Sequence, residues 1–267
     1  MPRLSPLSQD SQHSPRRDHH HRLAAVSSRS VDFPAGEVRP AHHHGVAQLI
    51  YAVEGVMVVS SEAGQWIVPP TRAIWMPAFT SHTIRMVSAV SMRSLYIQPE
   101  AASGLPAACA TVAISDLLKQ LIVSAIEIDG DYLTDSRDGR LMGLILDELR
   151  VLPVLPLHLP NPHHPYLRTI CNAIAEAPDD NRTLAHWAGV IGVDVKTIQR
   201  LFMRETGLTF GQWRQQARLL MALERLASGA RIVDVALDMG YDSPSAFSAM
   251  FRKQLGVPPS EYFRVVE

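Results

Sequence analysis

The sequence predicts an α+β chain of two domains: a small β-barrel carrying two helices, then an all-α domain built on a tandem helix-turn-helix. Three observations carry this. Short apolar runs broken by Gly and Pro fill residues 46–98, apolar residues recur at helical spacing from about residue 114, and one set of residues returns 48 or 49 positions later near the C-terminus. The length, 267 residues, suits two domains at roughly 150 residues each. A hydrophobic fraction of 46% against 19% charged residues excludes a wholly disordered chain. No apolar run approaches the ~20 residues needed to span a bilayer, which excludes a membrane partner of that kind. Met1 to His21 is polar and lacks the apolar stretch of a signal peptide. The two cysteines, Cys109 and Cys171, fit a reducing compartment, so the expected location is cytoplasmic.

In chain order, residues 1–30 lack periodicity and read as a mobile tail, with the His19-His20-His21 run solvated. Residues 31–152 read as one domain. Its runs Leu49-Ile50-Tyr51-Ala52-Val53, Val56-Met57-Val58-Val59, Trp66-Ile67-Val68, Ala73-Ile74-Trp75-Met76 and Leu95-Tyr96-Ile97 are rich in β-branched and aromatic residues. Gly55, Gly64, Pro69-Pro70 and Pro77 separate them. Strands this short and closely spaced favour a barrel or sandwich. Leu117, Leu118, Leu121, Ile122, Ala125 and Ile126 predict a helix near 114–128. Leu141, Leu144, Ile145, Leu146 and Leu149 predict another over 137–152. The stripe Leu117, Leu121, Ile122 suits either a homodimer contact or packing on the barrel. Five prolines within 153–165 forbid a helix and predict a stiff, extended linker.

Residues 166–267 hold the repeat. Ala188, Gly192 and Asp194 return as Ala236, Gly240 and Asp242; Ile198, Phe202, Gly207 and Trp213 return as Phe247, Phe251, Gly256 and Tyr262. Each copy reads as helix, Gly turn, helix. The alanines permit close helix crossing, the turn glycines accept positive φ, and Asp194 and Asp242-Ser243 cap the second helices. Ile198, Leu201 and Phe202 form one apolar stripe, which leaves Lys196, Thr197, Gln199 and Arg200 outward with Arg204 at the far end. Arg and Lys suit guanine or phosphate, and Gln suits adenine, in the major groove. Taken singly, Arg204, Arg214 and Arg225 also fit ordinary solvated faces. Phe210 to Ala227 is a helix former that holds the copies apart. Net charge is −1, and residues 163–267 carry 12 basic against 11 acidic residues, so a nucleic-acid partner is read from placement rather than bulk charge.

This second half resembles the tandem DNA-binding domain of the AraC/XylS family of transcription regulators. The matching string runs from Leu184-Ala185 through Ala188, Gly192, Asp194, Ile198-Gln-Arg200-Leu-Phe202, Gly207 and Trp213. It continues through Arg218, Ala222, Ala236, Gly240-Tyr241, Phe247, Phe251 and Gly256-Val-Pro258-Pro259 to Tyr262. The resemblance implies base contacts from Lys196, Gln199 and Arg200. In the second copy the matching positions, Ser245, Ser248 and Ala249 with Arg252 and Lys253 beyond, imply phosphate contacts and shape readout. Upstream, Gly36, His42-His43-His44, Gln48 and Gly55 follow the first cupin motif, and Pro77-Ala-Phe79-Thr-Ser-His82 resembles the second. The barrel is therefore expected to be cupin-like, with His42, His44, Gln48 and His82 as effector-binding residues and His43 facing out.

His42 and His44 share one side of a strand and converge with His82, either on a divalent metal or as hydrogen-bond donors to an effector. The cupin ligand Glu is Gln48 here, and the motif Gly is Phe79. No cofactor is required on this reading. Tyr51, Trp66, Trp75 and Met76 suit either core or pocket. Two function classes follow. One is an effector-responsive transcription regulator, working on promoter DNA as a homodimer, and with RNA polymerase if it activates. The other is a metal-dependent cupin enzyme, a dioxygenase or isomerase, with an accessory DNA-binding module. The missing carboxylate at Gln48 favours the regulator, and no catalytic motif is legible.

Overall fold

In the computed structural model, residues 24–149 and 157–263 are described. The barrel is two five-stranded antiparallel sheets laid face to face. Sheet A has β1 (Val26–Phe33), β3 (Ala47–Glu54), β6 (Arg72–Met76), β8 (Val90–Ile97) and β9 (Ala110–Ala113), in the order β1-β8-β3-β6-β9. Sheet B has β2 (Val38–His42), β4 (Met57–Ser61), β5 (Gly64–Val68), β7 (His82–Met86) and β10 (His158–Pro160), in the order β10-β5-β4-β7-β2.

Many of these strands read as continuous apolar runs because both of their faces are covered. Alternate residues point to opposite sides. Ile50, Ala52, Met57, Val59, Trp66, Ile74 and Met76 therefore fill the space between the sheets. Leu49, Tyr51, Ala73 and Trp75 turn outward from sheet A onto helices α1 (Asp116–Ile126) and α2 (Arg137–Glu148), meeting Leu118, Ile122, Ala125, Met142 and Ile145. Tyr51, Trp66, Trp75 and Met76 are thus core residues, each no more than 2% exposed. The α1 stripe divides: Ile122 is buried against the barrel, Leu117 is 49% exposed, and Leu121 lies between.

The ordered barrel begins earlier than residue 31. Val26–Phe33 pairs along the whole of β8, from Val26 opposite Ile97 to Phe33 opposite Val90. Its sequence looks tail-like because β1 is an edge strand in which only Val26 is buried. Residues 1–23, including the rest of the expected tail and its His run, lie outside the described residues. The Pro-rich connector also departs from a free spacer. Pro153 and Pro156 lie outside the described residues, but His158–Pro160 joins the edge of sheet B, with His158 opposite Trp66 and their rings stacked at 4.6 Å. An edge strand tolerates the missing N–H of Pro160.

The helical half comprises α3 (Pro165–Glu176), α4 (Leu184–Ile191), α5 (Val195–Thr206), α6 (Phe210–Ala227), α7 (Ile232–Asp238), α8 (Pro244–Leu255) and α9 (Pro259–Tyr262). Helix α6 is the strut. Trp213 and Ala217 pack with α3, α4 and α5, while Leu219, Leu220 and Leu223 pack with α7 and α8. The second cluster also includes Val56, Val58 and Ile67 on the outer face of sheet B, so barrel and helical half share one core. Arg85 pairs with Glu224 at 2.7 Å, Trp213 Nε1 donates to Pro160 O at 3.0 Å, and Gln216 donates to His158 O across the same junction.

Arg218 on α6 is 9% exposed and donates to Pro178 O at 2.6 Å, Asp180 O at 2.9 Å and Asn181 Oδ1 at 3.0 Å. It thereby pins the loop that feeds α4. A side chain at Gly240 would come within 2.9 Å of Asp179 in that loop, so the same contact seats the turn of the second copy. Arg218→Met is expected to lower unfolding free energy by about 2 kcal/mol, because it removes charged hydrogen bonds to part-buried carbonyls. Urea denaturation checks this; a loss below about 0.5 kcal/mol would contradict the pinning role.

Candidate nucleic-acid interface and effector site

The two helix-turn-helix units are closed by the same local chemistry. Thr183 opens α4 by accepting the His186 N–H, and Gly192 ends it in the left-handed region at φ 78°. Asp194 then caps α5, accepting the Lys196 N–H at 2.6 Å. In the second unit Gly240 makes the turn at φ 75°, and Ser243 rather than Asp242 caps α8 by accepting the Ala246 N–H at 3.2 Å. The left-handed turn and the side-chain cap fix where each second helix starts.

Burial decides which face of α5 is free. Ile198, Leu201 and Phe202 are buried among Leu167, Ile170, Trp187 and Trp213. Lys196, Gln199, Arg200 and Arg204 are left exposed and Thr197 half-buried. In α8, Phe247 and Phe251 are fully buried, Ser245, Arg252 and Lys253 are exposed and Ser248 is half-buried. Among the described residues Lys196, Arg200, Arg252 and Lys253 make no ion pair. Arg204 donates to Glu205 Oε1 at 3.2 Å. Glu205 Oε2 also accepts the backbone N–H groups of His163 and His164 at 3.0 and 2.9 Å, and the His164 N–H is the main cause holding its carboxyl below the usual range. Arg204 is therefore partly neutralised, whereas Lys196 and Arg200 present uncompensated charge.

At the barrel's open end the three histidines converge. His42 ends β2 and pairs across the sheet with His82, the first residue of β7; His44 lies just past the strand end. Ring centroids are 4.4 Å apart for His42–His82, 5.1 Å for His42–His44 and 5.7 Å for His44–His82. One ligand nitrogen from each lies within 4.8 Å of the others. His42 Nδ1 sits 2.7 Å from Pro40 O and His82 Nδ1 sits 2.9 Å from Thr80 O. Since a carbonyl can only accept, both Nδ1 atoms carry a proton, and in the neutral ring form each Nε2 keeps a lone pair. Burial is the main cause pushing the His82 pKa down, with the charges of His42 and His43 acting in the same direction. His82 is 2% exposed, and its Nε2 has no hydrogen-bond partner among the described residues.

Gln48 lines the same end, 2% exposed, donating to Ser94 Oγ at 3.1 Å and Tyr96 Oη at 3.4 Å, while its Oε1 has no partner among the described residues. Ser94 and Tyr96 were missed from sequence. Their signal was a polar pair two residues apart in an apolar strand, opposite Ile50 and Gln48. His43 is exposed as expected, but it lies past the end of β2, so strand alternation is not the reason. Outside this end runs a cleft of about 920 Å³ lined by Ser60, Ser61, Glu62, Phe79, Thr80, His82 and His163.

This is a DNA-binding regulator built from a sensing barrel and a duplicated helix-turn-helix. Residues 26–149 match the model of the AraC-like ligand binding domain, and residues 187–264 match that of a helix-turn-helix domain. The HTH-type transcriptional regulator NimR of Escherichia coli (strain K12) is 37% identical over 223 residues, covering 84% of this chain and 81% of that protein. The regulatory protein SoxS of Salmonella typhimurium is 34% identical over 101 residues, 38% of this chain and 94% of that protein. The arabinose operon regulatory protein of Salmonella typhimurium is 26% identical over 239 residues, 86% of this chain and 72% of that protein. The chain belongs to the AraC family of transcription regulators. It is a regulator rather than an enzyme, with DNA and a small-molecule effector as its partners. No helix among the described residues is long and apolar enough to cross a membrane.

Phe79, where the cupin motif has Gly, takes φ 62° and is 72% exposed. Its N–H donates to His44 O at 2.7 Å, which ties the β6–β7 loop to the histidine cluster. A non-glycine residue there stores roughly 1–2 kcal/mol of strain. Glycine relieves that strain but loses roughly 0.5–1 kcal/mol through the unfolded chain. Phe79→Gly should therefore leave thermal stability unchanged or raise it slightly, while Phe79→Val lowers it. A clear loss of stability in Phe79→Gly would show that the ring, not the strain, dominates.

Proposed function

We propose that the protein binds two successive major grooves of promoter DNA, α5 reading bases and α8 anchoring to phosphates, under control of an effector at His42, His44, Gln48 and His82. The observation that carries this reading is the exposed set Lys196, Gln199 and Arg200, unpaired among the described residues, on a capped helix whose opposite face is buried. Thr197 and Arg204 flank that set. Arg and Gln are the side chains that pair bidentately with guanine and adenine. In α8, Ser245 and Ser248 offer short hydroxyls, and Arg252 and Lys253 offer charge without a bidentate partner for a base, which suits backbone contact. Two such helices roughly 34 Å apart would meet one face of a duplex.

The same reading places the protein in the cytoplasm as a homodimer, joined through the exposed part of α1 around Leu117 and Val123, and in contact with RNA polymerase where it activates. It also assigns His42, His44 and His82 as holders of a divalent metal. The residues fit one: the lone pairs of His42 and His82 are set by backbone carbonyls, and a ring nitrogen held that way is the usual supporting arrangement for a histidine ligand. One ligand nitrogen from each of the three rings lies within 4.8 Å of the others, and imidazole nitrogens of this kind would hold a divalent ion. An ion held there would supply a fixed positive charge for an effector.

Arg200→Ala should weaken binding to the cognate promoter by ~1–3 kcal/mol and relax preference at one base pair. Lys253→Ala should weaken all sequences alike and reduce the salt slope by about one. Fluorescence anisotropy across a salt series separates the two. Arg200→Ala without effect, or Lys253→Ala with a base-specific one, would reverse the roles of the helices.

A further inference from the structure

We infer that the three-histidine centre is completed by its effector, an anionic oxygen-donor ligand that takes an open position on the metal and hydrogen-bonds Gln48. This rests on the metal reading above and deepens it.

The argument is one of charge. Among the described residues His42, His44 and His82 form the cluster that can share an ion, and no carboxylate or thiol belongs to it. Three neutral imidazoles leave a divalent cation with its full charge at the end of an apolar barrel. A charge taken out of water is costly unless paired. The side chain in line to compensate it is Gln48, a neutral amide that cannot. The charged groups acting on the neighbouring Tyr96 are Arg29 and Arg39, both cationic. Arg39 is itself paired with Glu37 at 3.8 Å, and Glu62 lines the cleft outside His82, so the wider surroundings carry both signs. Among the described residues, however, no carboxylate belongs to the ligand cluster itself, which leaves the open position on the ion for an anion from outside.

Two further features define that anion. Gln48 is buried and held by Ser94 and Tyr96 at one end of its amide, leaving the other end without a protein partner. A buried amide atom of this kind is costly unless a ligand pairs it, so the effector carries a hydrogen-bonding group beside its donor oxygen. The cleft of about 920 Å³ outside His82 provides an approach lined by the Ser60, Ser61 and Thr80 hydroxyls and by Glu62, so a ligand that donates hydrogen bonds beside its anionic oxygen suits it better than a bare anion. An all-imidazole donor set favours zinc, cobalt or nickel over magnesium or calcium. The proposal is thus a small hydroxylated or amide-bearing carboxylate, or a similar oxyanion, bound through a late first-row ion.

Cobalt(II) chloride titrated into the full-length, metal-stripped protein tests this by visible absorption, with sodium azide as the probe anion. The expected result is one cobalt per chain, with bands that azide shifts saturably. In Gln48→Glu, where a carboxylate supplies the counter-charge, azide should bind at least tenfold more weakly. Cobalt bands that azide leaves unchanged would overturn the anion proposal while the metal reading stands. So would an azide affinity in Gln48→Glu equal to that of the natural protein. Absence of cobalt bands, with circular dichroism showing a folded protein, would overturn the metal reading and this proposal with it.

Discussion

Helix α6 has more apolar surface than one neighbour can cover, and burying it joins three bodies. Trp213 and Ala217 close the first helix-turn-helix unit, Leu219, Leu220 and Leu223 close the second, and the same leucines meet Val56, Val58 and Ile67 of the barrel. Full burial of one leucine side chain is worth about 2 kcal/mol, so this helix dominates the placement of everything around it. Arg218 adds direction to what apolar contact alone leaves unoriented, because its guanidinium bonds reach fixed carbonyls in the loop before α4.

A consequence concerns signalling. The barrel face that packs on α6 belongs to sheet B, and sheet B also carries His42 and His82. Strand β7 holds His82 at one end and Arg85, the partner of Glu224 on α6, three residues on. The connector strand β10 is hydrogen-bonded to β5 and in turn accepts Gln216 and Trp213 of α6 through His158 and Pro160. An effector that resettles the histidine end of sheet B acts on a body in direct contact with the strut. Such a shift is limited by how differently the effector binds the two arrangements.

Legibility in the sequence followed burial and local grammar. The helix-turn-helix pair was readable because its glycines, caps and apolar stripe are local signals: Gly192 and Gly240 take positive φ, Asp194 caps α5, and α6 runs over the expected Phe210–Ala227. The histidine cluster was readable from the cupin-like spacing, although His44 reaches it from beyond the end of β2 and not, as strand alternation predicted, from the strand itself. Strand β1 was not, because an edge strand with one buried residue looks like a polar tail. Nor was β10, since its place in sheet B depends on an unpaired edge of β5 that no local pattern announces. The shared core between barrel and reader was hidden for a related reason. Val56 and Val58 look like any strand interior, and only the folded chain shows that their outward face is covered by α6.

The central claim is that one rigid strut presents α5 and α8 together to one side of a duplex. Hydroxyl-radical footprinting of the full-length protein on its own promoter region tests it most directly. Two protected patches centred about one helical turn apart on the same face are expected. A single patch, or two on opposite faces, would contradict the arrangement.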